Sequence, residues 1–226
     1  MANERRLTLE VGPTAKKVVA VAPDWPGLER GAKTAETAIE KVQAYLPRYA
    51  GVAQLAGTAD EFAAISKADV VDQYRGTRST DFWGISFAFS GMDWQPMSTM
   101  ELERQLALLQ ACWTFFDDVR WRVTSEMRKG QRGGGRDRER IVTHTLGVEQ
   151  GWAEKIGVHP PPGVVVTDDV HLKAYLEAYC TATRTFHADR KSARTWPHRY
   201  LVRHTAYHTM DHAWELEDKD LTAVIG

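Results

Sequence analysis

The sequence predicts an α+β protein, a short strand-rich segment followed by four long amphipathic helices. Three observations carry that expectation. Apolar and polar residues alternate near the N-terminus, the apolar period becomes helical after residue 98, and the later helical runs are bounded by capping or breaking residues. Leu7, Leu9 and Val11 suit a strand with one buried face, Gly12-Pro13 breaks it, and Lys17–Ala22 gives a second strand, so the pair reads as a hairpin. Pro23-Asp24-Trp25-Pro26-Gly27 forces a turn. Thr34 is the expected N-cap of a helix carrying Ala38, Val42, Tyr45 and Leu46, with Pro47 complicating its end. Between 51 and 97 only Val70-Val71 and the alternation Ile85, Phe87, Phe89 suggest strands.

Ser98 and Glu101 form an S-x-x-E capping box, opening a helix whose face runs through Leu102, Leu106, Leu109, Trp113, Phe116 and Val123. Gly130 and Gly133-Gly134-Gly135 end it. The next helix begins near Asp137, carries Ile141, Thr145, Val148, Trp152 and Ile156, and stops at Gly157. A third starts near Thr167 or Asp168 and carries Leu172, Leu176, Tyr179 and Phe186. The last has Pro197 in its first turn and runs to about Asp220, with Leu201, His204, His208, His212 and Leu216 along one side. The chain therefore divides into an αβ segment (1–55), a connecting segment with short strands (56–97) and a bundle of four helices (98–222).

Composition narrows the function. Of 226 residues 43% are hydrophobic and 26% charged, which excludes a disordered or low-complexity chain. Twenty-nine basic against 30 acidic residues give a net charge of −1, so neither nucleic acid nor an anionic membrane is an expected partner. Apolar runs fall well short of the roughly 20 residues a bilayer requires, and the polar start MANERRLTLE lacks a signal-peptide core. Cys112 and Cys180, without CxxC spacing, read as reduced core thiols, in keeping with a cytoplasmic location.

The strongest chemical signal is His204-Thr-Ala-Tyr-His208-Thr-Met-Asp-His212, where spacings of four stack imidazoles on one helix face. Histidines aligned with Leu201 and Leu216 require polar or metal partners, or else partial exposure and hydrogen bonds to neighbours. His144, on another helix, offers a third imidazole, and three nitrogens with an open position are the layout of a catalytic metal. His159, His171, His187 and His198 are expected to face solvent. Arg132 and Arg136, in the glycine-rich loop from Arg128 to Arg138, are candidates to grip an anionic substrate or thiol, set against a solvated connector. Glu149, Asp211 and His204 are candidates to orient a ligand or act as a base, with surface solvation the default for the carboxylates. Asp211 and Glu149 each fall off the line of the neighbouring ligand. Trp152, Trp214 and Tyr207 could line a pocket but are read first as core.

RYLVRHTAYHTMDHAWELEDK together with IVTHTLGVEQGWAEKIGV resembles the DinB/YfiT-like superfamily over roughly residues 98–220. The resemblance implies an up-down four-helix bundle whose His triad binds a divalent cation, zinc or nickel. Carried over, the triad is His144, His208 and His212, with His204 one turn outside. It further implies a transferase acting on a small-molecule substrate with a low-molecular-weight thiol such as mycothiol or bacillithiol. A metal-dependent hydrolase or isomerase needing no thiol, and a non-catalytic metal-binding stress-response module, are the alternatives. The run VVAVAPDWPGLERGAKTAETAIEKV is similar to HicB-like domains, which mostly mediate protein contacts, so the resemblance implies a dimerisation or lid element; bundles of this kind commonly pair, which makes a homodimer one candidate assembly.

Overall fold

A computed structural model of the chain describes residues 4–65, 67–130, 134–160, 169–189 and 196–222. It is α+β, as the sequence predicts. Strands β1 (Glu4–Val11), β2 (Val18–Val21) and β3 (Glu29–Ala32) form an antiparallel meander. Helix α1 (Ala35–Leu55) follows, then the short α2 (Ala59–Ala63) and β4 (Lys67–Arg75), which returns parallel to β1 and gives the sheet order β3-β2-β1-β4. The stretch 56–97 thus adds an edge strand to the sheet and continues through α3 (Arg78–Trp83).

Thr34 caps α1 through its side chain, accepting from the Thr37 amide. The helix continues through Pro47 to Leu55. Pro47 and Gln43 are both exposed, so water can serve the Gln43 carbonyl that proline leaves without its helical donor. Ala38, Val42, Tyr49 and Val52 bury one face of α1 among the core residues that include Leu7 and Leu9 of β1.

Two sequence expectations are corrected here. β1 is covered on both faces, because Thr8 and Glu10 are as buried as Leu7 and Leu9. The Ile85-Phe87-Phe89 alternation is not a strand but an irregular segment wrapped around Glu10. That carboxylate accepts from the Thr80 and Ser86 hydroxyls and, at 3.1 Å each, from the Phe87 and Ala88 amides. Those two amides are therefore not available to a β ladder. β3 passes so close to this region that a Cβ on Gly31 would lie 2.1 Å from the Gly84 carbonyl oxygen, a contact only glycine permits.

The helical half consists of α4 (Thr99–Arg122), α5 (Arg138–Ala153), α6 (Asp169–Ala188) and α7 (His198–Lys219). Ser98 and Glu101 close the expected capping box on α4, and Asp137 caps α5 through the Arg140 amide. Gly157, at φ +77°, ends the turn of 3₁₀ helix that extends α5. The expected start at Thr167 or Asp168 lies outside the described residues. α7 is the central element. It packs against both α4 and α5, and its buried residues fall on every side. Among the described residues no helix is long and apolar enough to cross a membrane. Cys112 and Cys180 are buried free thiols, and burial pushes both up, Cys180 to about 11.

Candidate metal centre

α5 presents His144, and α7 presents His208 and His212 one turn apart. One ligating atom from each of the three lies within 4.8 Å of the others. The ring centroids are 5.4 Å apart for His144–His208, 5.0 Å for His144–His212 and 4.6 Å for His208–His212. His212 is buried, His208 partly so and His144 exposed, so the cluster opens to solvent on the α5 side.

Both α7 imidazoles of the triad face a carboxylate. His212 Nδ1 is 2.7 Å from Glu215 Oε2, and His208 Nδ1 is 3.4 Å from Glu149 Oε1. With Nδ1 turned to a carboxylate, Nε2 is the nitrogen left for a shared ion on each ring. Glu215 also pairs with Arg136 at 3.0 Å and with Lys219. Partial burial opposes its ionisation, but the donors from His212, Lys219 and Arg136 outweigh that and hold the carboxyl at about 2. His144 is drawn down to about 4, first by desolvation and then by His212, Arg136 and His208, so its ring is neutral at physiological pH.

The sequence default of surface solvation fails for Glu149. It has no exposed surface, and its oxygens accept from Thr209 Oγ1 at 2.8 Å and Trp113 Nε1 at 3.1 Å besides facing His208. The buried face of α5 is Ile141, Val142, Thr145, Leu146, Glu149 and Ala153, displaced from the expected stripe through Val148. The spacing of Ile141, Thr145 and Glu149 was the signal in the sequence for that burial. Glu215 stands in an i,i+3 relation to His212, which places it alongside.

The other candidates sit elsewhere. Asp211 pairs with Arg30 at 3.3 Å on another side of α7, where Arg30 lies over Tyr45 and Trp214, and is no part of the cluster. His204 is buried and outside the triad. It stacks on Tyr200 at 4.9 Å, meets Trp152 at 4.6 Å, and has no hydrogen-bond partner on either nitrogen. Desolvation first, then Arg203 and His208, keep its ring well below the usual histidine range. Trp152 also covers His208, at 5.1 Å, whereas Trp214 and Tyr207 are buried. Arg136 reaches the edge of the cluster through Glu215; Arg132 lies outside the described residues. At the start of the connector, Arg128 donates to the carbonyls of Lys219 and Asp218 at the end of α7. His159 and His171 are exposed as expected, but His187 and His198 are half-buried.

Comparison of the chain with protein-family models, curated proteins and solved structures returns no match.

Proposed function

We propose that the chain is a divalent-metal-dependent enzyme of the DinB-like kind, with an up-down four-helix bundle carrying the site and a HicB-like αβ segment in front. It activates a low-molecular-weight thiol, mycothiol or a similar one, for transfer to an electrophilic small molecule. The observation that carries the reading is the convergence of His144, His208 and His212 at a solvent-open face. The donor set fits the ion, because three imidazoles suit zinc or nickel and two of them have a carboxylate behind them.

A divalent ion in such a site lowers the pKa of a thiol or water in its open position, giving a nucleophile at neutral pH. The chain's own residues do the positioning. Glu149 and Glu215 fix two rings, Arg136 holds Glu215 in place, and Trp152 shields one side of His208 from water. His144, the most exposed of the three, borders the side from which a substrate enters. The buried thiols suit a reducing compartment such as the cytoplasm.

Elemental analysis of untagged protein, and of His144→Ala, His208→Ala and His212→Ala, tests the site. About one equivalent per chain, lost in each variant, is expected. Protein that stays metal-free after incubation with zinc and nickel refutes the reading. A screen of thiols against electrophiles then tests the reaction class, and turnover that never responds to added thiol refutes the transferase.

A further inference from the structure

The seam between α5 and α7 changes in kind on either side of the histidine cluster. Arg136, just before α5, meets Glu215 late in α7, whereas Trp152, late in α5, meets His204 early in α7, so the two helices run antiparallel. His144, His208 and His212 lie between these two contacts. On the His208 side the wall is aromatic. Trp152 is 5.1 Å from the His208 ring and 5.8 Å from Trp196, and the ammonium of Lys155 lies over the Trp196 ring at 4.6 Å. On the His212 side the wall is charged.

That charge is out of balance. Two cations, Arg136 at 3.0 Å and Lys219, converge on Glu215, and among the described residues neither is paired with a second acid. One positive charge is therefore left over beside the ligand cluster. Arg136 has the capacity to use it. Its Nη2 donates to Glu215 Oε2, and among the described residues its other N–H groups have no partner. They are open to a solute, because 37% of the side-chain surface is exposed. The Glu215 oxygen that takes Nη2 also faces His212 Nδ1 at 2.7 Å, so one atom holds both the guanidinium and a ligand ring. The charge of Arg136 is felt at His144, the exposed ring, as well. A guanidinium with free N–H groups matches a carboxylate in both charge and geometry.

We propose that the small molecule taken at the open side of the histidine cluster is an acid, its carboxylate held by the free N–H groups of Arg136. The inference rests on the metal reading above and names the chemical class of the ligand at that site. The test uses full-length protein loaded with cobalt(II), where a bound thiolate is read from its charge-transfer absorption. The probes are two thiols of equal length, 3-mercaptopropionate and 3-mercapto-1-propanol. The acid is expected to bind about tenfold more tightly than the alcohol, or better. Arg136→Gln should bring that ratio to about one. Any loosening of His212 through Glu215 weakens both probes alike and does not move the ratio. Lys155→Gln, which removes a positive charge at the aromatic end, should leave the ratio as in wild type. Protein that takes up no cobalt refutes the metal reading and this proposal with it. Bound cobalt with equal affinity for the two probes, or with no thiolate absorption from either, overturns the acid-binding site alone. So does a preference that survives Arg136→Gln, or one lost equally in Lys155→Gln.

Discussion

Glu149→Gln separates orientation of a metal ligand from ligation itself. Both oxygens of this fully buried carboxylate act as acceptors, Oε1 for Thr209 and the His208 ring and Oε2 for Trp113. Glutamine keeps the shape but must place an NH₂ at one of those positions, where it meets a donor. A buried donor left without a partner costs about 1–3 kcal/mol. In a chain of this length that is a fall of about 2–12 °C in melting temperature, at about 2–4 °C per kcal/mol. The second effect is on metal. Loss of a partner behind a ligating histidine typically weakens metal affinity by about 10–100-fold. Such a loss reduces the stabilisation given by excess zinc by about 1.4–2.7 kcal/mol. Urea denaturation of wild type and variant, with and without zinc, measures both terms. The variant should be less stable in the apo form, and its zinc-induced gain should be smaller than that of wild type by the second amount. A zinc-induced gain of the same size in both proteins would refute the role given to Glu149.

Three further outcomes follow from the same geometry. His144→Ala removes an exposed ring, so apo stability should move by no more than about 0.5 kcal/mol while metal content is lost; a large drop in the apo melting temperature contradicts the open rim. Arg203→Met strands the buried carboxylate of Asp93, 2.8 Å from the guanidinium, and should cost about 3–5 kcal/mol by urea denaturation. Glu29→Gln addresses pH. Desolvation, only partly offset by Arg203, raises this carboxyl from 4.5 to about 8, so between those values the folded chain holds a proton that the unfolded chain releases. Wild-type stability should therefore fall relative to Glu29→Gln as pH rises through that window, and parallel stability curves would exclude a raised pKa.

The legible parts of the fold were those governed by neighbours in sequence. Thr34, Ser98 with Glu101, and Asp137 cap helices where local hydrogen bonding says they should, because a cap needs only residues two or three positions away. The hairpin of β1 and β2 was readable for the same reason. Ile85, Phe87 and Phe89 misled because their alternation carries no mark of Glu10, more than 70 residues earlier, which takes two of the segment's amides. For the site, helical spacing placed His208 and His212 together, and His144 was a candidate third imidazole from another helix, but its approach depends on how the two helices pack, which local spacing does not fix. Glu149 was named as a candidate to orient a ligand, but its burial escaped because carboxylates are rarely buried, and its partners Trp113 and Thr209 come from two other helices.

The place of α7 in the order of synthesis has a consequence for how the chain folds. Glu29 and Asp93 belong to the half that leaves the ribosome first, yet the guanidinium that answers both is on Arg203, in the last helix. Until that helix emerges, the Asp93 carboxylate would have to be buried without its counter-charge and Glu29 without its α7 partner, or both would stay in water and leave the seam open. N-terminal regions ordinarily settle while the rest is still being made. Here final closure of the sheet waits for α7, and a fragment ending before that helix would carry an exposed, acid-lined seam in need of shelter.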